Sequence, residues 1–284
     1  MTSKSDGRQK VMIDKYNQRA KKINSLLCVG LDPDFEKIPK RFLKMKFSQF
    51  EFNKWIISEV HNFAAAIKCN SAFYEARGDK GIRELKMTME YLQKKYPDIF
   101  TICDCKRADI GNTNQGYIDS LFDHFGFDAV TLHPYLGKEA LLPFLDRKDK
   151  GCIILCRTSN PGAGEFQDLM VSQPFDSAQS KPVWQIVAER VSKTWNRNRN
   201  CMLVVGATYP KEMKKIRSIV DDMTFLVPGV GTQGGSVKEI MKAGLNSQGL
   251  GLIINSSRGI IFSDNPKEEA RKLCEEIRKY SIIE

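Results

Sequence analysis

The chain has 284 residues, 42% apolar and 27% charged, a balance typical of globular proteins rather than disordered or fibrous ones. No apolar run approaches the ~20 residues that span a bilayer, and the polar stretch Met1 to Lys10 leads into no signal core, so a cytoplasmic protein without membrane contact is expected. Lysine and arginine outnumber aspartate and glutamate by 44 to 34, but they cluster only briefly (Arg41 to Lys46, Lys211 to Arg217) and accompany no nucleic-acid motif; the excess reads first as a solvated basic surface and would also suit a phosphorylated small substrate. Eight short apolar runs then read as strands: Leu26 to Leu31, Ala64 to Cys69, Ile99 to Cys103, Ala129 to His133, Cys152 to Cys156, Cys201 to Val205, Thr224 to Val227, and Leu250 to Ile254. Segments with helical spacing lie between them, such as Phe52-Trp55-Ile56-Val60, Leu85-Met89-Leu92 and Trp184-Ile186-Val187-Val191. Alternating strands and helices imply parallel pairing. Eight such units in this length predict an α/β fold, a closed (β/α)8 TIM barrel, as a single domain over residues 1–284 with core strands from about 26 to 255. A doubly wound open sheet is the alternative. The polar insertion Gly162 to Pro182 is expected to cover the barrel mouth.

Polar residues gather at one end of nearly every predicted strand. They are Asp32 after the first, Lys68 and Asn70 on the second, and Asp104 and Lys106 on the third. His133-Pro134 follows the fourth, and Arg157-Thr158-Ser159-Asn160 the fifth. Pro228 to Gly235 follows the seventh and Asn255 to Gly259 the eighth. In such barrels the active site lies at the C-terminal strand ends. Side chains alternate along a strand, so Ile102, Asp104 and Lys106 share a face. Charges beside an apolar element are costly unless paired, which marks Asp104, Lys106 and the following Asp109 as candidates for chemistry. Taken alone, Asp-x-Lys reads equally well as an exposed ion pair.

The glycines around Gln233 would let backbone N–H groups approach an anion, and Arg258 would add a bidentate contact. The loops after strands seven and eight form the usual phosphate cradle of these barrels. Cys103 and Cys105 flank Asp104 and point to the opposite face, beneath helices. Most of the eight cysteines sit in or beside apolar runs and read as buried free thiols rather than as disulfides or a zinc site. His133 reads as a packed, hydrogen-bonded residue rather than a general acid. Trp55 and Trp184 read as core.

Five segments carry a resemblance: Val29-Gly30-Leu31-Asp32-Pro33, Lys68 to Glu75, Asp104-Cys105-Lys106-Arg107-Ala108-Asp109-Ile110-Gly111, Pro228 to Gly235, and Asn255-Ser256-Ser257-Arg258. Together they resemble the orotidine 5'-phosphate decarboxylase family, in particular its branch in many bacteria and some parasites. One departure is Ala108, where that branch is expected to have glycine. The resemblance implies decarboxylation of orotidine 5'-monophosphate (OMP) to uridine 5'-monophosphate (UMP), the last step of de novo pyrimidine synthesis, with no metal and no cofactor. It implies that Lys106 stabilises charge at C6 and protonates it. Asp104 would hold Lys106 and crowd the departing carboxylate. Lys68, Asp104, Lys106 and Asp109 would form an alternating array. Asp109 and Thr113 would reach into the neighbouring subunit's site, which implies a homodimer. Asp32 and Thr113 would bind ribose hydroxyls with Asn70 close by, and Ser159, with Thr158, would read the pyrimidine edge. Pro228, Gln233 and Arg258 would line the substrate site, Gln233 and Arg258 holding the phosphate. A monofunctional chain is expected.

Two rivals remain at this level. A magnesium-dependent keto-sugar-phosphate decarboxylase of the same superfamily shares Asp-x-Lys-x-x-Asp. The Lys68-x-Asn70 pair and the Ser159 region argue against it, since a metal site would want a carboxylate near Lys68. The other rival is a basic nucleic-acid-binding barrel, for which steep salt dependence of RNA binding would speak.

Overall fold

In chain order the strands are β1 (Leu27–Leu31), β2 (Ala66–Asn70), β3 (Phe100–Arg107), β4 (Ala129–Leu132), β5 (Gly151–Arg157), β6 (Met170–Gln173), β7 (Asp176–Pro182), β8 (Cys201–Val205), β9 (Phe225–Val227) and β10 (Leu252–Ser256). They come from a computed structural model that describes residues 12–173, 176–230 and 234–281. Eight of them close into a parallel barrel in the order β1-β10-β9-β8-β5-β4-β3-β2. The predicted (β/α)8 barrel is thus the observed one. A parallel barrel is covered by helices outside and filled by side chains inside, so its strands must be apolar on both faces. Accordingly β1, β4, β8, β9 and β10 are buried at every residue.

The helices bury most of the residues that their spacing marked, with Trp55, Ile186 and Val187 only half-buried. The helix Ser48–Val60 buries Phe52, Ile56, Ile57 and Val60, and the helix Gly78–Lys95 buries Leu85, Met89 and Leu92. Trp184 is buried, whereas Trp55 is only half-buried, with the Arg41 guanidinium 4.4 Å from its ring centre. All eight cysteines are free and buried. Among the described residues no helix is long and apolar enough to cross a membrane.

Two elements go beyond expectation. Past the apolar run that ends at Cys103, β3 carries Asp104 and Lys106 as the alternation predicts and runs on to Arg107. Its extension is held by β4, where the Thr131 hydroxyl accepts from the Lys106 N–H at 2.9 Å, and by Cys105, which is buried with its thiol 3.6 Å from the Thr131 carbonyl. Lys106 adopts a left-handed φ of 47°, and the β3–β4 register shifts between Cys103 and Arg107. A left-handed backbone at a non-glycine residue costs about 1–3 kcal/mol and collects at functional sites. Ala108, standing where glycine was expected, is not among the positive-φ residues, so its methyl group meets no such strain. The second is the insertion after β5. It folds into a short helix, Gly164–Gln167, and an antiparallel hairpin of β6 and β7 outside the barrel sheet. It meets the mouth through Gln167.

Candidate active site

Parallel pairing brings the polar strand ends to one level. Gly30 of β1 stands beside Lys68 of β2, and Asn70 of β2 beside Asp104 of β3. The result is a chain of alternating charges. The Lys68 ammonium lies 3.3 Å from Asp32 Oδ1 and 3.3 Å from Asp104 Oδ2, and Lys106 Nζ donates to Asp104 Oδ1 at 2.6 Å. Thr131 donates to Asp104 Oδ1 as well, at 3.0 Å. The Lys68 side chain is 4% exposed and that of Lys106 51%. One cation is therefore locked in the array, while the other keeps a face toward the mouth.

Burial acts against each charge and the neighbours win. Burial pushes the Asp104 carboxyl up, but Lys68, Lys106 and the hydrogen bonds from Lys106 and Thr131 hold it at about 2. Burial pushes the Lys68 ammonium down, but Asp32 and Asp104 raise it well above the ordinary lysine value. Both groups are ionised at neutral pH.

The array borders two cavities that share Lys68, Asp104 and Pro228. The larger, about 370 Å³, is lined also by Lys106, Thr131, Thr158, Ser159, Asn160 and Gln167. The smaller, about 140 Å³, is lined by Asp32, Asn70, Gly229, Asn255, Ser257 and Arg258 among others. Gly30 is required behind the smaller one. A Cβ there would stand 1.9 Å from Ser257 Oγ and 3.3 Å from Asn255 Oδ1. Arg258 opens a short helix, Arg258–Ile261, directly after Ser257. Gln233 lies outside the described residues.

The structure joins Asp32, Lys68, Asn70, Asp104, Lys106, Ser159, Pro228 and Arg258 around one mouth. Asp109 and Thr113 are not among the described residues that line either cavity. The array thus begins at Asp32 and, within one chain, does not continue to Asp109. The Asp109 carboxylate instead accepts from the Ile110 N–H at 2.7 Å. His133 is absent from both linings, and its Nδ1 is buried with no hydrogen-bond partner among the described residues. It is packed but not hydrogen-bonded through that atom.

Two residues of the site went unread in the sequence. Thr131 is a polar residue inside an apolar strand, a signal that was present. Gln167, in the polar insertion, carried none. Asn255, read as one of the polar strand ends, lines the smaller cavity, and its Oδ1 is buried with no hydrogen-bond partner among the described residues.

Fold and site define a (β/α)8-barrel enzyme working at the C-terminal mouth. Residues 25–273 match the Orotidine 5'-phosphate decarboxylase / HUMPS family, and the chain belongs to that family. It is 45% identical over 255 residues to an orotidine 5'-phosphate decarboxylase of Flavobacterium johnsoniae, covering 90% of each chain. It is 40% identical over 268 residues to that of Herpetosiphon aurantiacus, covering 93% of this chain and 96% of the relative. The solved structure of Leishmania donovani OMP decarboxylase superposes with a TM-score of 0.84 at 37% identity, covering 95% of this chain and 99% of that one.

Proposed function

We propose that this chain decarboxylates orotidine 5'-monophosphate to uridine 5'-monophosphate in pyrimidine biosynthesis. The observation that carries this reading is the charge chain Asp32–Lys68–Asp104–Lys106 set between two cavities at the barrel mouth. Membership of the family supports it.

In this reading the pyrimidine occupies the larger cavity, with C6 against Lys106. When the C6–carboxylate bond breaks, carbon dioxide leaves and the electron pair stays on C6. The Lys106 ammonium faces that developing charge and then gives C6 a proton; the neutral amine regains one from solvent. A fixed ammonium stabilises the transition state without reorganisation. Asp104, kept ionised by its neighbours, repels the substrate carboxylate and is relieved as carbon dioxide departs. The buried Lys68 keeps Asp104 and Asp32 from repelling each other. Every charge the step needs comes from a side chain, so the reaction as read uses no metal and no cofactor.

Recognition divides between the cavities. Ser159, beside Thr158, is read as meeting the pyrimidine edge. Asp32 and Asn70 are read as binding the ribose. Arg258, with Gln233 and the backbone after Pro228, is read as holding the phosphate, whose remote binding energy orients the ring. Asp109 and Thr113 are read as serving the site of a second copy in a homodimer. Their absence from this chain's own cavity linings, among the described residues, supports that. So does the exposed apolar side chain next to Asp109: Ile110 is 63% exposed. We read residues 1–284 as one domain.

The test is the ultraviolet absorbance change of orotidine 5'-monophosphate on addition of the protein, with and without a chelator. Loss of the substrate spectrum, unchanged by chelator, is the expected result. No turnover from folded protein overturns the assignment, and chelator-sensitive turnover overturns the metal-free mechanism.

A further inference from the structure

The larger cavity has a wall that comes from outside the barrel. Gln167 closes the short helix Gly164–Gln167 and turns its amide back onto the end of β5. Both ends of that amide are used. The Thr158 N–H donates to Gln167 Oε1 at 2.9 Å, and Gln167 Nε2 donates to the Thr158 hydroxyl at 2.8 Å. Arg157 fastens the arrangement from beneath. Its Nη1 donates to Gln167 Oε1 at 3.3 Å, and its Nη2 pairs with Asp168 at 3.0 Å. The Arg157 side chain is 3% exposed, and its guanidinium carbon lies 3.8 Å from the Tyr209 ring centre. A planar guanidinium stacked on a ring and paired at both amino groups has little freedom to move.

Hydrogen-bond arithmetic then fixes what this wall can offer a ligand. A hydroxyl has one proton to give. The Thr158 hydroxyl gives its proton to Asn160 Oδ1, at 2.6 Å, while accepting from Gln167. Thr158 therefore has no donor left for a ligand. Ser159, next in the chain, has a hydroxyl with no hydrogen bond among the described residues, and it lines the same cavity. Ser159 cannot back away, because Gly206 sits against it. A Cβ on Gly206 would stand 2.8 Å from Ser159 Cβ, and the Gly206 N–H is bonded to the Arg157 carbonyl at 2.7 Å.

We infer that Gln167 is a positioning residue for base recognition: it holds Thr158 in a saturated state so that Ser159 alone presents a free hydroxyl to the pyrimidine edge. This rests on the reading of the larger cavity as the base site. Gln167 touches no reacting atom in this scheme. Its contribution belongs to the base half of the ligand and not to the phosphate half, whose residues line the other cavity.

The experiment compares two ligands on two proteins. Uridine 5'-monophosphate and ribose 5-phosphate are measured by competition and calorimetry on the wild type and on Gln167→Ala. Losing the two Thr158 bonds is expected to weaken uridine 5'-monophosphate about 10- to 30-fold, while ribose 5-phosphate affinity stays within about twofold. Equal weakening of both ligands would mean a general structural role and overturns the inference, as does unchanged binding of uridine 5'-monophosphate. The wild type is the control for the underlying reading. If it neither turns over orotidine 5'-monophosphate nor binds uridine 5'-monophosphate, the base site and the inference fall together. If it does both and the variant shows no base-selective loss, only the inference falls. Should the alanine variant fail to fold, Gln167→Glu replaces it. That variant keeps the acceptor for Thr158 N–H and for Arg157 and loses only the donor to the Thr158 hydroxyl. A base-selective loss of about threefold is expected of it, and no loss overturns the inference.

Discussion

Thr131 serves Asp104 and the Lys106 backbone with a single oxygen: its hydroxyl donates to Asp104 Oδ1 at 3.0 Å while accepting from the Lys106 N–H at 2.9 Å. One atom of β4 thus sets both the carboxylate and the left-handed backbone of the adjacent lysine. Thr131→Val keeps the shape and removes both bonds. Leaving the Lys106 N–H unmet, and Asp104 Oδ1 with only its bond from Lys106 Nζ, costs about 1–3 kcal/mol. We expect the denaturant midpoint to fall accordingly. Turnover should drop about tenfold, the equivalent of 1.4 kcal/mol of misplaced charge. Parallel urea titrations and steady-state rates on the variant check both.

Lys106→Ala separates chemistry from binding. Half of the lysine side chain is exposed, so its loss opens no cavity in the core. Turnover should fall at least ~10⁴-fold, because the proton donor and the fixed cation go together. Affinity for uridine 5'-monophosphate should stay within about tenfold of the wild type. Substantial residual turnover would remove Lys106 from the role given to it.

Gly30→Ala probes the smaller cavity from behind. The added methyl collides with Ser257 and presses on Asn255, both at the cavity wall. Overpacking of this kind costs about 1–3 kcal/mol. The Michaelis constant should rise with little change in turnover number. The double variant Gly30→Ala, Ser257→Gly should regain part of the lost stability, a coupling that thermal melts of the four proteins would measure.

The charge array also sets the pH range of stability. The Asp104 pKa is held at about 2, below the ~3.9 of an unfolded aspartate. Its contribution, about 2 kcal/mol, is fully present above pH ~4 and is lost as pH falls toward 2. Lys68 is shifted the other way. Its contribution is present below the unfolded lysine value of ~10.4 and fades as pH rises beyond it. A plateau from about pH 5 to 9 is expected in urea midpoints. Asp104→Asn should flatten the acid limb, and an acid limb unchanged by that variant would assign it to other carboxylates.

Most of the barrel was legible because a parallel strand buried on both faces has to be a nearly unbroken apolar run, and the runs at Leu27 and Cys201 are just that. At the end of β3 the alternation of Ile102, Asp104 and Lys106 was legible, but the left-handed φ of Lys106 and the register shift beside it were not, because they depend on the pairing with Thr131 of the neighbouring strand. The hairpin of β6 and β7 lies outside the barrel and lacks an apolar run to announce it. Within the site, charges at strand ends stood out because burying them needs a reason. Asp109 entered the array only through the resemblance, as a residue reaching a second copy, and within one chain its carboxylate turns to its own backbone neighbour. Gln167 was invisible for a simpler reason. An amide in a polar insertion has no pattern of its own, and its meaning lies wholly in where the chain returns.

The barrel closes by pairing β1 with β10, with Val29 opposite Ser256. This seam has a consequence for a chain still being made. Lys68, Asp104 and Lys106 emerge from the ribosome early, but Gly30 meets Asn255 and Ser257 only after the last strand is out. A nascent chain therefore carries its reactive lysines for much of its synthesis with no finished anion cradle beside them. Pairing the first strand with the last is the most non-local strand pairing in the barrel, and contacts of that kind form late and slowly. The cavity wall formed by Gly30, Asn255 and Ser257 is completed in one step, when the seam shuts.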